Sequence, residues 1–257
     1  MNFLKRMRLL FISIVLPAVL WQCAGTGKTT PPRLSSQIPS NNIRIDSTLV
    51  NDGAMEAAIY PYRTQLNKTM GEVVGHASMD LKRGKPEARL NNFVADLMLK
   101  RANKEYSAPV DAAITNVGGL RVNISKGPVT LGKIYEVMPF ENELVVLEMT
   151  GSQLLTLGKQ IGEVEGECIA GMKLEFRDKR LMNMTVQGEK VEAKKLYYIV
   201  TTDYLSAPGH KKLSILGTVS RKFLGIRLRD AILGEVKELE AAGKPVQAQK
   251  DGRIVFK

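Results

Sequence analysis

Apolar side chains return at helical spacing in three stretches of the chain. Met55, Ala58, Ile59, Tyr62 and Leu66 form one set, Leu90, Phe93, Val94, Leu97 and Met98 a second, and Leu228, Ala231, Ile232, Val236 and Leu239 a third. A three-to-four-residue period puts each set on one helix face, so helices are expected near 55–66, 89–103 and 228–242, the last stopped by Gly243 and Pro245. Between the second and third sets lie short runs with strand character: DAAIT (111–115), ELVVLEM (143–149), MKLEF (172–176), MNMTVQ (182–187) and LYYIVTT (196–202). Thr150 is placed to cap the N-terminus of a short helix in SQLLTLGKQI. An extended IRID at 43–46 opens the regular structure, and no internal repeat interrupts it. This order of helices and strands predicts an α+β domain, a mixed sheet with packed helices, over residues 43–257.

The first 42 residues follow another pattern. Lys5, Arg6 and Arg8 precede an apolar run from Leu9 to Leu20, the basic head and short hydrophobic body of an export signal, expected over residues 1–22. The AGTGKTT that follows invites a phosphate-loop reading. That loop needs a glycine where Gln22 stands, a preceding strand and a following helix, and Pro31 and Pro32 remove backbone donors where the helix would start. Cys23, directly after the apolar run and before Ala24, instead resembles the acylated cysteine of a bacterial lipoprotein signal, with Gln22 bulkier than the usual small residue. Residues 23–42, rich in Pro, Ser, Thr and Asn, then read as a flexible tether, and the expected location is the bacterial cell envelope, lipid-anchored to a membrane.

Charge and composition narrow the partners. Removing residues 1–22 takes away Lys5, Arg6 and Arg8 and lowers the net charge from +11 to +8, which favours anionic ligands. The remaining Lys and Arg are scattered and form no aromatic-interleaved basic stripe, so nucleic acid is not an expected partner. With Cys23 acylated, Cys168 has no disulfide partner and reads as a small core residue. His76 and His210 are the only histidines, and no HExxH, paired-Cys or GxSxG pattern occurs. His76 reads as structural, and Glu163 and Glu165 read as solvated loop carboxylates.

Candidate chemistry is concentrated in Ile114–Leu155. A strand ending in Asn116-Val117-Gly118-Gly119 lets bare backbone approach a ligand, with Arg121 two residues on; a glycine turn beside a surface Arg fits the same residues. Phe140, between Pro139 and Glu141, suits a stacking platform, although such a Phe more often plugs a core.

NVGGLR (116–121), GPVT (127–130), MPFEN (138–142) and TGSQL (150–154) resemble, in order and spacing, the C-terminal substrate-binding domain of bacterial 5'-nucleotidases. The likeness extends upstream through KPEARLNNFVADLM and downstream through YYIVTTDYLSAPG to LRDAI. It implies a 5'-nucleotidase C-terminal-domain-like fold in a stand-alone form without the metallophosphoesterase domain. It further implies that Phe140 and Tyr204 sandwich a base, that Asn142 stands beside it, and that Arg121 reaches the phosphate side; Asn116, Gly118 and Gly119 complete the substrate-binding set. Where the family commonly has GGDGY, this chain has APGHKK, which puts His210 in place of the Asp that binds ribose hydroxyls. His210 then reads either as a ligand contact or as an exposed loop residue. No catalytic residue, metal ligand or cofactor is assigned to this chain; divalent metals are expected only in a separate metallophosphoesterase partner chain. The leading expectation is the substrate-binding half of a split 5'-nucleotidase in nucleotide catabolism, binding a nucleoside or nucleotide and inactive alone. The second is a non-catalytic envelope lipoprotein that binds nucleotides or other anions.

Overall fold

The computed structural model describes Asp46 and residues 48–257. The chain divides into two units, Met1–Asp52 and Gly53–Lys257, and every element described below belongs to the second. The expected signal segment, Cys23, the tether and the IRID stretch up to residue 45 lie outside the described residues.

A five-stranded sheet forms the centre, in the order β10 (Arg221–Arg227), β4 (Glu143–Thr150), β9 (Leu196–Thr202), β2 (Ala112–Thr115), β5 (Cys168–Ala170). β2 and β9 run parallel and the other neighbours antiparallel, so the sheet is mixed. Its inner strands read as nearly unbroken apolar runs because both faces are covered. Leu144, Val146, Ala113 and Val200 join one core with Leu90, Val94 and Met98 of α2 (Arg89–Glu105) and Ile232 and Val236 of α5 (Leu228–Ala241). Val145, Leu147, Ile114 and Ile199 join the opposite core with Leu154, Leu157 and Ile161 of α4 (Gly151–Glu163).

A four-stranded sheet, ordered β11 (Ile254–Phe256), β6 (Met172–Arg177), β7 (Arg180–Val186), β8 (Glu189–Lys190), packs on α4. Two glycines permit the close approach: a Cβ on Gly158 would meet Met184 Sδ at 2.8 Å, and one on Gly162 would meet Phe176 at 2.6 Å. Thr150 caps α4 as the sequence predicts. Its hydroxyl accepts from Gln153 N and the Gln153 side chain accepts from Thr150 N at 2.8 Å, a reciprocal capping box. Gly243, at φ 65°, ends α5, with Lys244 N returning to Leu239 O at 2.9 Å.

β1 (Val73–Ala77) and β3 (Gly127–Thr130) form a separate antiparallel pair. α3 (Leu131–Val137) follows β3 directly and is capped by Thr130. The C-terminal segment is held by two buried charges. Glu87 accepts from Asp251 N at 2.8 Å and Gly252 N at 3.1 Å, and Arg253 pairs with Asp96 at 2.7 Å and Asp251 at 2.8 Å. Burial works against the Arg253 charge, but the bonds to Asp251 and Asp96 outweigh it and raise its pKa; Asp251 is correspondingly held below the usual carboxylate range by Arg253.

α1 (Gly53–Met70) forms where the periodicity places it, but none of its residues is buried, and Tyr60, Tyr62 and Leu66 are exposed. Among the described residues, no helix is long and apolar enough to cross a membrane.

Candidate functional site

The sheet topology brings three distant segments to one edge. β2 is parallel to β9, so Asn116 leaves β2 at the same end where Tyr204 follows β9. β4 is antiparallel to β9, with Leu144 opposite Thr202, so the segment that enters β4, containing Phe140 and Asn142, lies there too. Ligands commonly lodge at such carboxyl edges of parallel strands.

Local hydrogen bonds fix each segment. Asn116 O accepts from Gly119 N at 3.0 Å, closing a single 3-10 turn over Val117–Gly119. Val117 N donates to the buried Glu167 carboxylate at 2.6 Å, and Arg121 N donates to Val137 O at 2.9 Å, joining the turn to the end of α3. Asn142 O accepts from Leu228 N at 2.8 Å. Asp203 accepts from Glu143 N at 3.0 Å and Tyr204 N at 2.7 Å, which locks the Tyr204 backbone to the start of β4.

Around these anchors is a pocket of about 320 Å³, lined by Asn116, Gly118, Gly119, Arg121, Phe140, Asn142 and Tyr204. Seven of the eight substrate-binding residues expected from the sequence therefore converge. Phe140 and Tyr204 are 41% and 52% exposed, so Phe140 is a pocket wall, not a core plug. Arg121 Nη1 donates to Gly118 O at 3.3 Å, and its guanidinium stands 6.0 Å from the Phe140 ring centre, the outer limit of a cation–π contact. Asn116 Oδ1 is buried against the Gly118–Gly119 backbone with no hydrogen-bond partner. A Cβ on Gly119 would sit 3.2 Å from that oxygen, a tight contact that the Asn116 amide would have to yield to.

His210, the eighth expected residue, lines an adjoining pocket of about 560 Å³ that shares Asn116, Gly118 and Tyr204 with the first. Its ring meets Tyr204 edge-on at 5.4 Å, and Nδ1 accepts from Leu213 N at 3.3 Å. Lys85, Glu167, Lys211 and Lys212 line the same space. Glu167 is a site residue that sequence reasoning misses: it stands in the acid-rich EVEGEC stretch and looks solvated, yet it is only 7% exposed. Cys168, His76 and Glu165 stand as the sequence reads them, whereas Glu163 closes α4 and is not in a loop. Cys168 is buried, which pushes its thiol pKa well up; His76 bonds Glu240 at 3.0 Å; Glu165 pairs with Lys179 at 2.8 Å at the surface.

A larger groove, about 810 Å³, runs along α2, α5 and the C-terminal segment. Apart from Lys244, its charged groups are already committed to one another, Lys100 to Glu235 and Arg253 to Asp96 and Asp251, and of its side chains only Phe93 is aromatic. It is therefore the weaker candidate, despite its size.

An α+β domain with an aromatic-walled, arginine-bearing pocket at the edge of a mixed sheet defines the class. Residues 73–218 match the 5'-nucleotidase, C-terminal domain model, and the chain belongs to that family. The trifunctional nucleotide phosphoesterase protein YfkN of Bacillus subtilis is 28% identical over 75% of this chain and 14% of its own length. The cell wall protein Lmo0130 of Listeria monocytogenes is 30% identical over 66% of this chain and 24% of its own. Among solved structures, a 5'-nucleotidase precursor from Thermus thermophilus superposes with a TM-score of 0.68 at 26% identity, over 78% of this chain and 42% of that one. The chain thus spans less than half the length of each of these relatives.

Proposed function

We propose that the pocket binds the nucleoside part of a nucleotide, the base between Phe140 and Tyr204 and the phosphate towards Arg121. In this reading the chain is the substrate-binding half of a 5'-nucleotidase and presents the phosphate to a separate metallophosphoesterase chain. The observation that carries it is the convergence of two rings, one guanidinium and an amide-and-glycine turn, from segments far apart in sequence, on one pocket. Two aromatic faces hold any base, a fixed cation selects the phosphorylated form, and amides at Asn116 and Asn142 offer both donors and acceptors. The chain's contribution is positioning: it removes orientational freedom from the substrate before the partner acts.

Among the described residues, no three His, Cys, Asp or Glu side chains gather as metal ligands. This reading assigns the divalent ions to the partner. The membrane association follows from acylation of Cys23, which would hold the domain at the cell envelope beside that partner.

Calorimetric titration with adenosine and AMP tests the pocket. Phe140→Ala and Tyr204→Ala should each weaken adenosine binding by roughly five-fold to two-hundred-fold, with the melting temperature nearly kept because both rings are exposed. Arg121→Ala should weaken AMP far more than adenosine. If Phe140→Ala lowers stability by about 3–5 kcal/mol and leaves affinity alone, the ring is structural and the reading fails.

A further inference from the structure

The adjoining pocket has a chemistry of its own. Lys211 and Lys212 are exposed on its wall, and neither has an ion-pair partner among the described residues. Because His210 Nδ1 accepts from Leu213 N, the neutral ring carries its proton on Nε2 and is a donor there. The single carboxylate in the wall, Glu167, is already committed: it accepts from Val117 N at 2.6 Å and lies 3.6 Å from Lys85 Nζ. The space therefore holds an excess of unneutralised positive charge.

Asn116, Gly118 and Tyr204 belong to the linings of both this space and the aromatic pocket. A ligand stacked on Tyr204 can reach across Gly118, which has no side chain to obstruct it. The two pockets carry separate cations, Arg121 in one and Lys211 with Lys212 in the other. A nucleoside monophosphate has one anionic group and can answer only one of them.

We propose that the pocket bounded by Lys85, His210, Lys211 and Lys212 is a second anion subsite, and that the two pockets together take a nucleoside bearing phosphates at two separate positions of its sugar. This rests on the nucleoside-binding reading above and adds the substrate class. One phosphate faces Arg121; the other lies beyond Tyr204, among the lysines and the His210 Nε2–H. A phosphate answers these ammonium groups with charge as well as acceptor oxygens, whereas a neutral sugar hydroxyl offers them only acceptor lone pairs.

Calorimetry with the full chain and four ligands tests this: adenosine, AMP, ADP and adenosine 3',5'-bisphosphate. At low salt, the bisphosphate should bind roughly ten-fold more tightly than AMP, and the advantage should shrink as salt screens it. ADP, with both phosphates at one end of the sugar, should gain much less. In a Lys211→Gln, Lys212→Gln double variant of parental melting temperature, the bisphosphate-to-AMP ratio should fall towards one. A parent ratio near one, an equal gain for ADP, or a ratio that survives the double variant would overturn the second subsite. If adenosine and AMP bind in a Phe140- and Tyr204-dependent way while the bisphosphate gains nothing, the subsite alone falls. If none of the four binds, the nucleoside reading falls with it.

Discussion

Glu141 stands between Phe140 and Asn142 and joins two guanidiniums, Arg227 at 2.9 Å and the buried Arg229. Arg229 also lies 4.3 Å from the Tyr135 ring centre, so one arginine ties the Phe140 segment to α3. The hydrogen bond from Arg229 holds the Glu141 carboxyl below its ordinary value of 4.5, with the Arg227 charge assisting. For Arg229, burial lowers the pKa and Glu141 outweighs it, leaving the net shift upward. A depressed carboxylate stabilises the fold above its unfolded pKa, and that contribution is lost as pH falls through the folded value. Glu141→Gln should therefore lower the melting temperature at neutral pH, and the gap from the parent should close on acidification below 4.5. Thermal scans at a series of pH values check this; a gap independent of pH contradicts the pairing. The residues of the 116–121 turn and the two rings could be read from sequence because their motifs lie in short, ordered stretches. Glu167 and the placement of His210 could not, because burial of the first and the pocket shared with Tyr204 by the second arise only when β2, β5 and β9 assemble.

At the scale of elements, the capping box and the glycine face of α4 fix how the site's sheet is supported from below. Thr150→Ala should cost about 1 kcal/mol, since it removes an acceptor for an otherwise unpaired helix N–H. Gly162→Ala should cost about 1–3 kcal/mol, because the new methyl meets Phe176 at 2.6 Å and Lys179 O at 2.8 Å. Urea unfolding of both variants measures these values, and a neutral Gly162→Ala would mean that helix and sheet are less closely packed. The strands that the sequence shows clearly, ELVVLEM and LYYIVTT, are buried on both faces of the central sheet. RKFLGIR escapes notice for the opposite reason. β10 is an edge strand with Arg221, Lys222 and Phe223 exposed, and Gly225 at φ 70° breaks its register against β4. β1 is hidden by Gly75 and His76, which interrupt its apolar run; Gly75 is needed because Val236 would lie 2.6 Å from a Cβ.

Across the whole molecule, the proposed function divides labour between this domain and a partner, and between the domain and its proposed anchor. Cys23→Ser should abolish lipid labelling and move the protein from the membrane to the soluble fraction, because a serine oxygen cannot form the thioether; unchanged fractionation would contradict the anchor. The purified chain, supplied with manganese, cobalt or zinc, should release no phosphate from AMP above background, and robust turnover by a contaminant-free preparation would require a site within this chain. The central claim, that the edge of the mixed sheet holds a base between Phe140 and Tyr204, is tested most directly by a crystal structure of the protein soaked with AMP. The base is expected between the two rings, with the phosphate on the Arg121 side. AMP found in the groove along α2 and α5 instead, or an empty aromatic pocket at saturating ligand, would contradict it.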